Sequence, residues 1–285
     1  MLTMANTAVI VSTYNQPQLL DLSLLGLARQ SHDDFELLIA DDGSDERTAQ
    51  VIERHRERFR HPLRHLWQED IGFRKTRILN RAVLATAADY LVFMDGDCIV
   101  HPDFIREHLA AARPGAFLNG SLIRLGEGLS ARISAADIAG GEVFRPSWLR
   151  RHGGGFDRRF LRLSLPYRWR CWLNRHTRTK LYWLGSNSSC ARSDLLAVNG
   201  FDNRFTYGFE DGDFGNRLQN YGLEMETVRW TAVSLHLWHR RPWSSPEIMA
   251  RNRALMAPRV PGERQRAPDG IEEVQGEAGA PAPLS

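Results

Sequence analysis

Tyr90-Leu91-Val92-Phe93-Met94-Asp95-Gly96-Asp97 sets five apolar residues directly before two carboxylates. A run this short, bounded by Gly and Asp, fits a strand buried on both faces, as in parallel sheets. Working outward, Ala8-Val9-Ile10-Val11-Ser12-Thr13, Glu36-Leu37-Leu38-Ile39-Ala40 and Leu63–Trp67 read as further strands. Helical patterns alternate with them: Leu19–Ala28, started by Pro17; the charged Asp45–Phe59; and Lys75–Ala87, with Ile78, Leu79, Ala82 and Val83 inward. Strand followed by crossover helix predicts an α/β fold, a Rossmann-like, mostly parallel sheet flanked by helices, with ligands at the carboxyl ends of the strands. The clusters Asp41-Asp42-Gly43-Ser44 and Asp95-Gly96-Asp97 fall at those ends.

The rest of the chain is less regular. Phe104–Ala112 predicts a short helix, Gly126 to Arg145 a helix and loop, Tyr182 to Cys190 an ordered segment, Ser193–Val198 and Asp211–Tyr221 helices, and Val228–Leu237 a strand. The chain divides accordingly at 1–125, 126–181, 182–257 and 258–285, the last rich in Pro, Gly, Ala and Glu and expected to be disordered. With 285 residues, 42% of them hydrophobic, and a mean hydropathy of −0.39, the chain can bury a full core. Runs such as Ala8–Val11 fall short of the roughly 18 residues of a membrane span. Met1 to Ala8 carries no basic residue, so a cytoplasmic location is expected. Cys98, Cys171 and Cys190 are odd in number and widely spaced, which indicates neither a disulfide framework nor a cysteine zinc site.

Net charge is only +3, but from Arg145 to Lys180 there are eleven cations against the single acid Asp157. Trp148, Phe156, Phe160, Tyr167, Trp169, Trp172 and Tyr182 lie among or just beyond them. This mixture suits the surface of an anionic membrane, at its cytoplasmic inner face, or an arginine-rich lid. Nucleic acid is not expected as a partner.

Adjacent carboxylates at a buried strand exit repel and lose solvation, a cost that a divalent cation removes. Asp95-Gly96-Asp97 alone reads as a solvated turn; its place after a strand, with Asp41-Asp42 after an earlier one, points instead to Mg²⁺ or Mn²⁺ holding a phosphate-bearing ligand. Gly208-Phe209-Glu210-Asp211-Gly212-Asp213 opens a helix with more acids than capping requires, and one of them could accept a hydroxyl proton as general base. His236 and His239, three residues apart, could reach one metal from a turn or a helix, though not from one face of a flat strand. His152-Gly153-Gly154-Gly155 has no G-x-S-x-G to accompany it, and neither G-x-G-x-x-G nor a Walker lysine motif occurs.

Val11-Ser12-Thr13-Tyr14-Asn15, Asp41-Asp42-Gly43-Ser44, Asp70-Ile71-Gly72-Phe73-Arg74-Lys75 with Asn80, and Met94-Asp95-Gly96-Asp97 resemble the nucleotide-sugar half of a family 2 glycosyltransferase. Gly185-Ser186-Asn187, Val198-Asn199-Gly200-Phe201-Asp202 and Gly208-Phe209-Glu210-Asp211 are similar to the acceptor half of β-1,4-galactosyltransferases and polypeptide N-acetylgalactosaminyltransferases. Two features depart from the pattern: Tyr207-Gly208-Phe209 replaces the usual Gly-Trp-Gly, and Arg145–Lys180 has no counterpart.

The resemblance implies a GT-A fold with a smaller acceptor-side subdomain: 1–125 as the nucleotide-sugar half, 126–181 as a basic aromatic insertion and 182–257 as the acceptor half. It implies that Thr13, Tyr14, Asn15 and Asp42, or Asp41, frame the uracil and ribose, that Lys75 and Arg77 lie near the base and pyrophosphate, and that Asp95 lies near the ribose. It gives Asp97, His236 and His239 to the metal, Asp211 the role of base and Glu210 the acceptor hydroxyl. The expected activity is inverting, metal-dependent transfer of galactose or an N-acetylhexosamine from a UDP-sugar to a saccharide or lipid-linked acceptor. The alternative is a non-catalytic module that binds a nucleotide sugar or an anionic partner. A nucleotidyltransferase would want a Gly-rich phosphate loop, which Ser12-Thr13-Tyr14-Asn15-Gln16 does not offer.

Overall fold

A computed structural model describes residues 6–155, 157–177, 182–240 and 245–276. The first half alternates β1 (Thr7–Thr13), α1 (Pro17–Leu27), β2 (Glu36–Asp41), α2 (Glu46–His55), β3 (Leu63–Trp67), α3 (Lys75–Leu84) and β4 (Tyr90–Asp95). Then follow β5 (Cys98–Val100), α4 (Phe104–Ala111), β6 (Ala116–Asn119), β7 (Ser121–Arg124), α5 (Glu127–Ser130), α6 (Ala135–Gly140), α7 (Pro146–Arg151), α8 (Leu161–Ser164) and α9 (Tyr167–His176). The chain ends with β8 (Ser188–Ala191), α10 (Arg192–Ala197), α11 (Glu210–Asn220), β9 (Glu224–Thr227), β10 (Val233–His236), α12 (Pro246–Leu255) and α13 (Ile271–Gly276).

The main sheet has the order β3-β2-β1-β4-β8-β6-β9, parallel except where β8 runs against β4 and β6. Every residue of β1 is buried, because alternate residues enter different cores. Val9 and Val11 pack with Leu20 and Leu24 of α1 and Phe104 of α4. Ala8 and Ile10 pack with Ile78 and Ala82 of α3 and Phe214 and Leu218 of α11. Helices thus cover both faces, which is why the strands are almost uniformly apolar.

A second sheet, β5-β10-β7, carries a third core in which Ile99, Ile123 and Leu235 meet Ile138, Leu149 and Trp148. The first part of the basic insertion is therefore a packed helical cover rather than a helix and loop. Trp148 and Phe160 belong to that core, whereas Tyr167, Trp169 and Trp172 are about half exposed on α9. Phe156, Arg178 and Lys180 lie outside the described residues.

Two further expectations are corrected. The strand anticipated over Val228–Leu237 is shorter, β10 alone: residues 228–232 form the turn that follows β9, in which Thr231 N–H donates to the Val228 carbonyl at 3.0 Å. The tail expected to be disordered is packed from 258 to 276; residues 277–285 lie outside the described residues. Its Ala267, Ile271 and Val274 are buried, and Asn199, Asn203 and Asn220 bind its backbone through their side chains. A Pro- and Gly-rich composition hides this, since the tail is held by hydrogen bonds to another part of the chain rather than by a core of its own.

Candidate active site

Sheet register places Ser12 beside Asp95 and Thr13 beside Asp41, so the exits of β1, β2 and β4 open at one edge. The order reverses there, with β2 on one side of β1 and β4 on the other, which leaves a crevice at the strand ends. A cavity of about 370 Å³ occupies it and is lined by Thr13, Tyr14, Asp42, Lys75, Asp95, Asp97, Glu210, Asp211, His236 and His239. That volume lies within the ligand-pocket range. A larger cavity, about 870 Å³, lies by Glu107, Tyr167 and Thr227 and holds none of these residues. Chemistry rather than size therefore selects the site.

On the nucleotide-side edge, Asp42 accepts from Gln68 Nε2 at 2.5 Å and from Arg74 N–H at 2.8 Å. Burial nevertheless pushes its carboxyl up to about 6. Asp95 Oδ1 accepts from both Ser12 Oγ and Lys75 Nζ at 2.6 Å. Burial opposes the Lys75 charge, but Asp95, Asp211 and Glu210 outweigh it and hold the ammonium well above the ordinary lysine range. Tyr14 OH donates to Asp70 at 2.8 Å.

Three expected residues do not line the cavity. Asp41 is fully buried and holds its own loop, accepting from Ser44 N–H at 2.8 Å and facing His65 Nε2 at 2.9 Å. Asn15, in the left-handed region at φ 47°, ties two loops by accepting from Asp45 N–H and donating to Ser44 Oγ. Arg77 lies two residues further along α3 than Lys75, outside the lining.

His236 ends β10 and His239 follows in the loop, so both imidazoles turn toward Asp97; their Nε2 atoms lie 3.5 and 3.0 Å from Asp97 Oδ2. One ligand atom from each of the three falls within 4.8 Å of the others. His239 Nδ1 lies 2.8 Å from the Arg240 carbonyl and 3.3 Å from Gln16 Nε2, and these contacts orient the ring with Nε2 toward Asp97. This donor set of one hard oxygen and two imidazole nitrogens fits Mn²⁺. Burial works against the Asp97 charge, yet His239 and His236 hold its carboxyl below the ordinary range.

Phe209, at φ 71°, breaks into α11 in the left-handed region and sets Glu210 and Asp211 in the first turn. Such strain in a non-glycine residue is concentrated at functional sites. Asp211 Oδ2 accepts from Gly185 N–H at 2.9 Å, while Glu210 Oε2 is buried without a hydrogen-bond partner. Burial raises both carboxyls, Glu210 to about 7 with help from Asp211, while Lys75 opposes the rise in each.

Sequence reasoning missed the supporting residues: Ser12 on Asp95, Gln68 on Asp42, Gln16 at 3.3 Å from His239, and Phe73 edge-on to Tyr207. Ser12 and Gln16, beside the noted Thr13, Tyr14 and Asn15, and Phe73, inside the quoted Asp70–Lys75 stretch, had a signal in their positions; Gln68 becomes visible only through long-range contact.

Residues 8–127 match the family model of glycosyl transferase family 2, and residues 175–240 that of the N-terminal domain of galactosyltransferase. The first part of the chain is thus a domain similar to those of glycosyl transferase family 2. Validoxylamine A glucosyltransferase of Streptomyces hygroscopicus subsp. jinggangensis is 28% identical over 243 residues, 78% of this chain and 53% of that protein. Chondroitin synthase of Escherichia coli is 24% identical over 82% of this chain and 34% of its own length. The chain thus spans about half of the first relative and a third of the second. Among solved structures, S. aureus TarS 1-349 in complex with UDP-GlcNAc superposes with a TM-score of 0.62 at 16% identity, over 88% of this chain and 65% of that one. The mannosyltransferase PcManGT of Pyrobaculum calidifontis, in complex with GDP-Man and Mn²⁺, gives 0.56 at 16% identity, over 84% and 58%. The family 2-like domain has the GT-A fold.

Proposed function

We propose that this chain is an inverting, metal-dependent glycosyltransferase that moves galactose or an N-acetylhexosamine from a UDP-sugar to a hydroxyl of a saccharide or lipid-linked acceptor. One observation carries the reading: the Asp97–His236–His239 group, the donor-side Asp42 and Asp95, and the carboxylates of Glu210 and Asp211 all line a single cavity. Thr13, Tyr14, Asp42 and Asp95 would bind and orient the nucleoside, with Lys75 beside them. A divalent ion held by Asp97, His236 and His239 would offset the charge of the departing diphosphate. Asp211 takes the acceptor proton as the new O–C1 bond forms and the bond from C1 to UDP breaks, UDP leaving with the electron pair. One base suffices for this single displacement. Glu210, protonated up to about pH 7, is available to hydrogen-bond the acceptor hydroxyl.

The proposal includes contact with an anionic membrane through the Arg145–Lys180 stretch, supported by the half-exposed Trp169 and Trp172 of α9. Among the described residues no helix is long and apolar enough to cross a membrane. Screening UDP-galactose, UDP-N-acetylhexosamines, UDP-glucose and GDP-mannose for nucleotide release, with Mn²⁺ and purified protein, tests the activity. Release from a UDP-hexose is expected; UDP binding with no turnover on any donor would favour the non-catalytic alternative.

A further inference from the structure

Arg162, in α8, and Arg229, in the turn between β9 and β10, both stand over the indole of Trp230, their guanidinium carbons 5.8 and 5.5 Å from the ring centre. A cation on an aromatic face is ordinary; here two guanidiniums share one half-buried ring. Arg159 adds a third cation nearby, and Asp157, the only acid of the basic stretch, is engaged by Arg159 at 2.6 Å. Among the described residues Arg162 forms no ion pair. Its guanidinium approaches the Leu122 carbonyl at 3.5 Å, and its Nε is buried with no hydrogen-bond partner. Burial, with repulsion from Arg229 and Arg159, pulls Arg162 down to about 10, which Asp157 offsets only in part.

Both arginines are tied to β7, an edge strand of the small sheet. Arg162 meets Leu122, and Ser121 Oγ donates to the Arg229 carbonyl at 3.2 Å. Leu122 itself lines the catalytic cavity. In the main sheet Arg229 follows β9, at the edge opposite β3, whereas Asp42 follows β2, next to β3. The cluster therefore stands away from the nucleotide side of the cleft. Planar guanidinium forks pair bidentately with carboxylate and phosphate, most strongly where water is partly excluded.

We infer that Arg162 and Arg229, arranged on Trp230, form a subsite beside the catalytic cleft for an anionic group of the acceptor, a carboxylate or a phosphate. The inference rests on the proposed transfer reaction and deepens it by naming the acceptor class. The test is retention of full-length protein, with UDP and Mn²⁺ present, on immobilised oligosaccharides that are neutral, that end in a uronic acid, or that end in a hexose 6-phosphate. At low salt, charged oligosaccharides should be retained at least ~10-fold better than neutral ones. The uronic-acid and phosphate arms distinguish the two sources of charge. Arg162→Gln and Arg229→Gln should each remove that preference while UDP binding by calorimetry stays unchanged. Arg162→Lys, which keeps the charge but not the fork, should weaken it partially and serves if a Gln variant does not fold. Equal retention of neutral and charged oligosaccharides, retention of none, or a charge preference unaltered in the arginine variants would overturn the inference. Failure of the transfer reading would instead show as absent nucleotide release, a separate measurement.

Discussion

Gly185 holds Asp211 by contact as well as by hydrogen bond. Its N–H donates to Oδ2 at 2.9 Å, and a Cβ added at Gly185 would lie 2.6 Å from Oδ1. No other residue type can give the same bond and leave the carboxylate in place. Gly185→Ala should therefore swing Asp211 away from its position. We expect turnover to fall ~10²-fold, the cost of misplacing a reacting group by about an ångström. UDP binding should remain, because the donor side is untouched. Steady-state rates and UDP calorimetry on the variant check this; near-normal turnover would show that Asp211 need not stand where Gly185 holds it.

Asp211→Asn keeps the size of the side chain and removes the proton acceptor. It should preserve UDP–Mn²⁺ binding and lose transfer by at least ~10²-fold, the scale of general-base removal. Asp42→Ala should do the reverse, weakening UDP binding before chemistry. Equal loss of UDP binding in both variants would contradict the assignment of roles.

The metal prediction follows from the convergence of three side chains. The Nε2 atoms of His236 and His239 lie 3.5 and 3.0 Å from Asp97 Oδ2, so that all three could hold one cation. Chelation should abolish nucleotide release, Mn²⁺ should restore it, and His239→Ala should raise the Mn²⁺ concentration needed. An unchanged Mn²⁺ dependence in that variant would remove His239 from the ligand set.

Glu210 sets the function of the site against the stability of the fold. Its carboxyl is raised from 4.5 to about 7 by burial and by Asp211, so the folded protein binds a proton there that the unfolded chain has released. Stability supplied by that proton is complete below about pH 4.5 and is lost as pH rises to about 7. Glu210→Gln abolishes this loss. It should unfold at a higher temperature than the parent at pH 8, by a margin of ~1–3 kcal/mol that shrinks at pH 5, while transfer falls. Equal stability of the two proteins at pH 8 would show that Glu210 ionises without cost.

How far the sequence could be read follows the range of the forces involved. The Rossmann-like half was legible because each element is local: a short apolar run for β4, a 3.6-residue period with Ile78 and Ala82 inward for α3. Asp97, His236 and His239 could be singled out because residue type and position after a strand carry the chemistry. Asp41 and Asp42 could not be told apart, since adjacent carboxylates differ only in which side chain turns to His65 and which to Gln68. The packed tail was hidden because Asn199 and Asn220 hold it across some 40 to 70 residues of sequence.

The remaining prediction concerns α9, none of whose residues is buried. Trp169 and Trp172 stand edge to face 6.1 Å apart, and His176 stacks on Trp172 at 4.4 Å, so the rings form an ordered exposed row among Arg168, Arg170 and Arg175. Trp148 and Phe160 sit in the third core, which among the described residues leaves this helix as the part of the basic stretch with exposed indoles. Rings settle at headgroup depth, and each cation near an anionic surface contributes ~1 kcal/mol. The protein should therefore sediment with vesicles containing phosphatidylserine at low salt, and much less with neutral vesicles or at high salt. A Trp169→Ala, Trp172→Ala double variant should lose most of this binding and retain UDP binding, because α9 contributes no residue to the catalytic cavity. Absence of sedimentation with anionic vesicles at low salt would reject the membrane contact and leave the basic stretch as a cover over the small sheet.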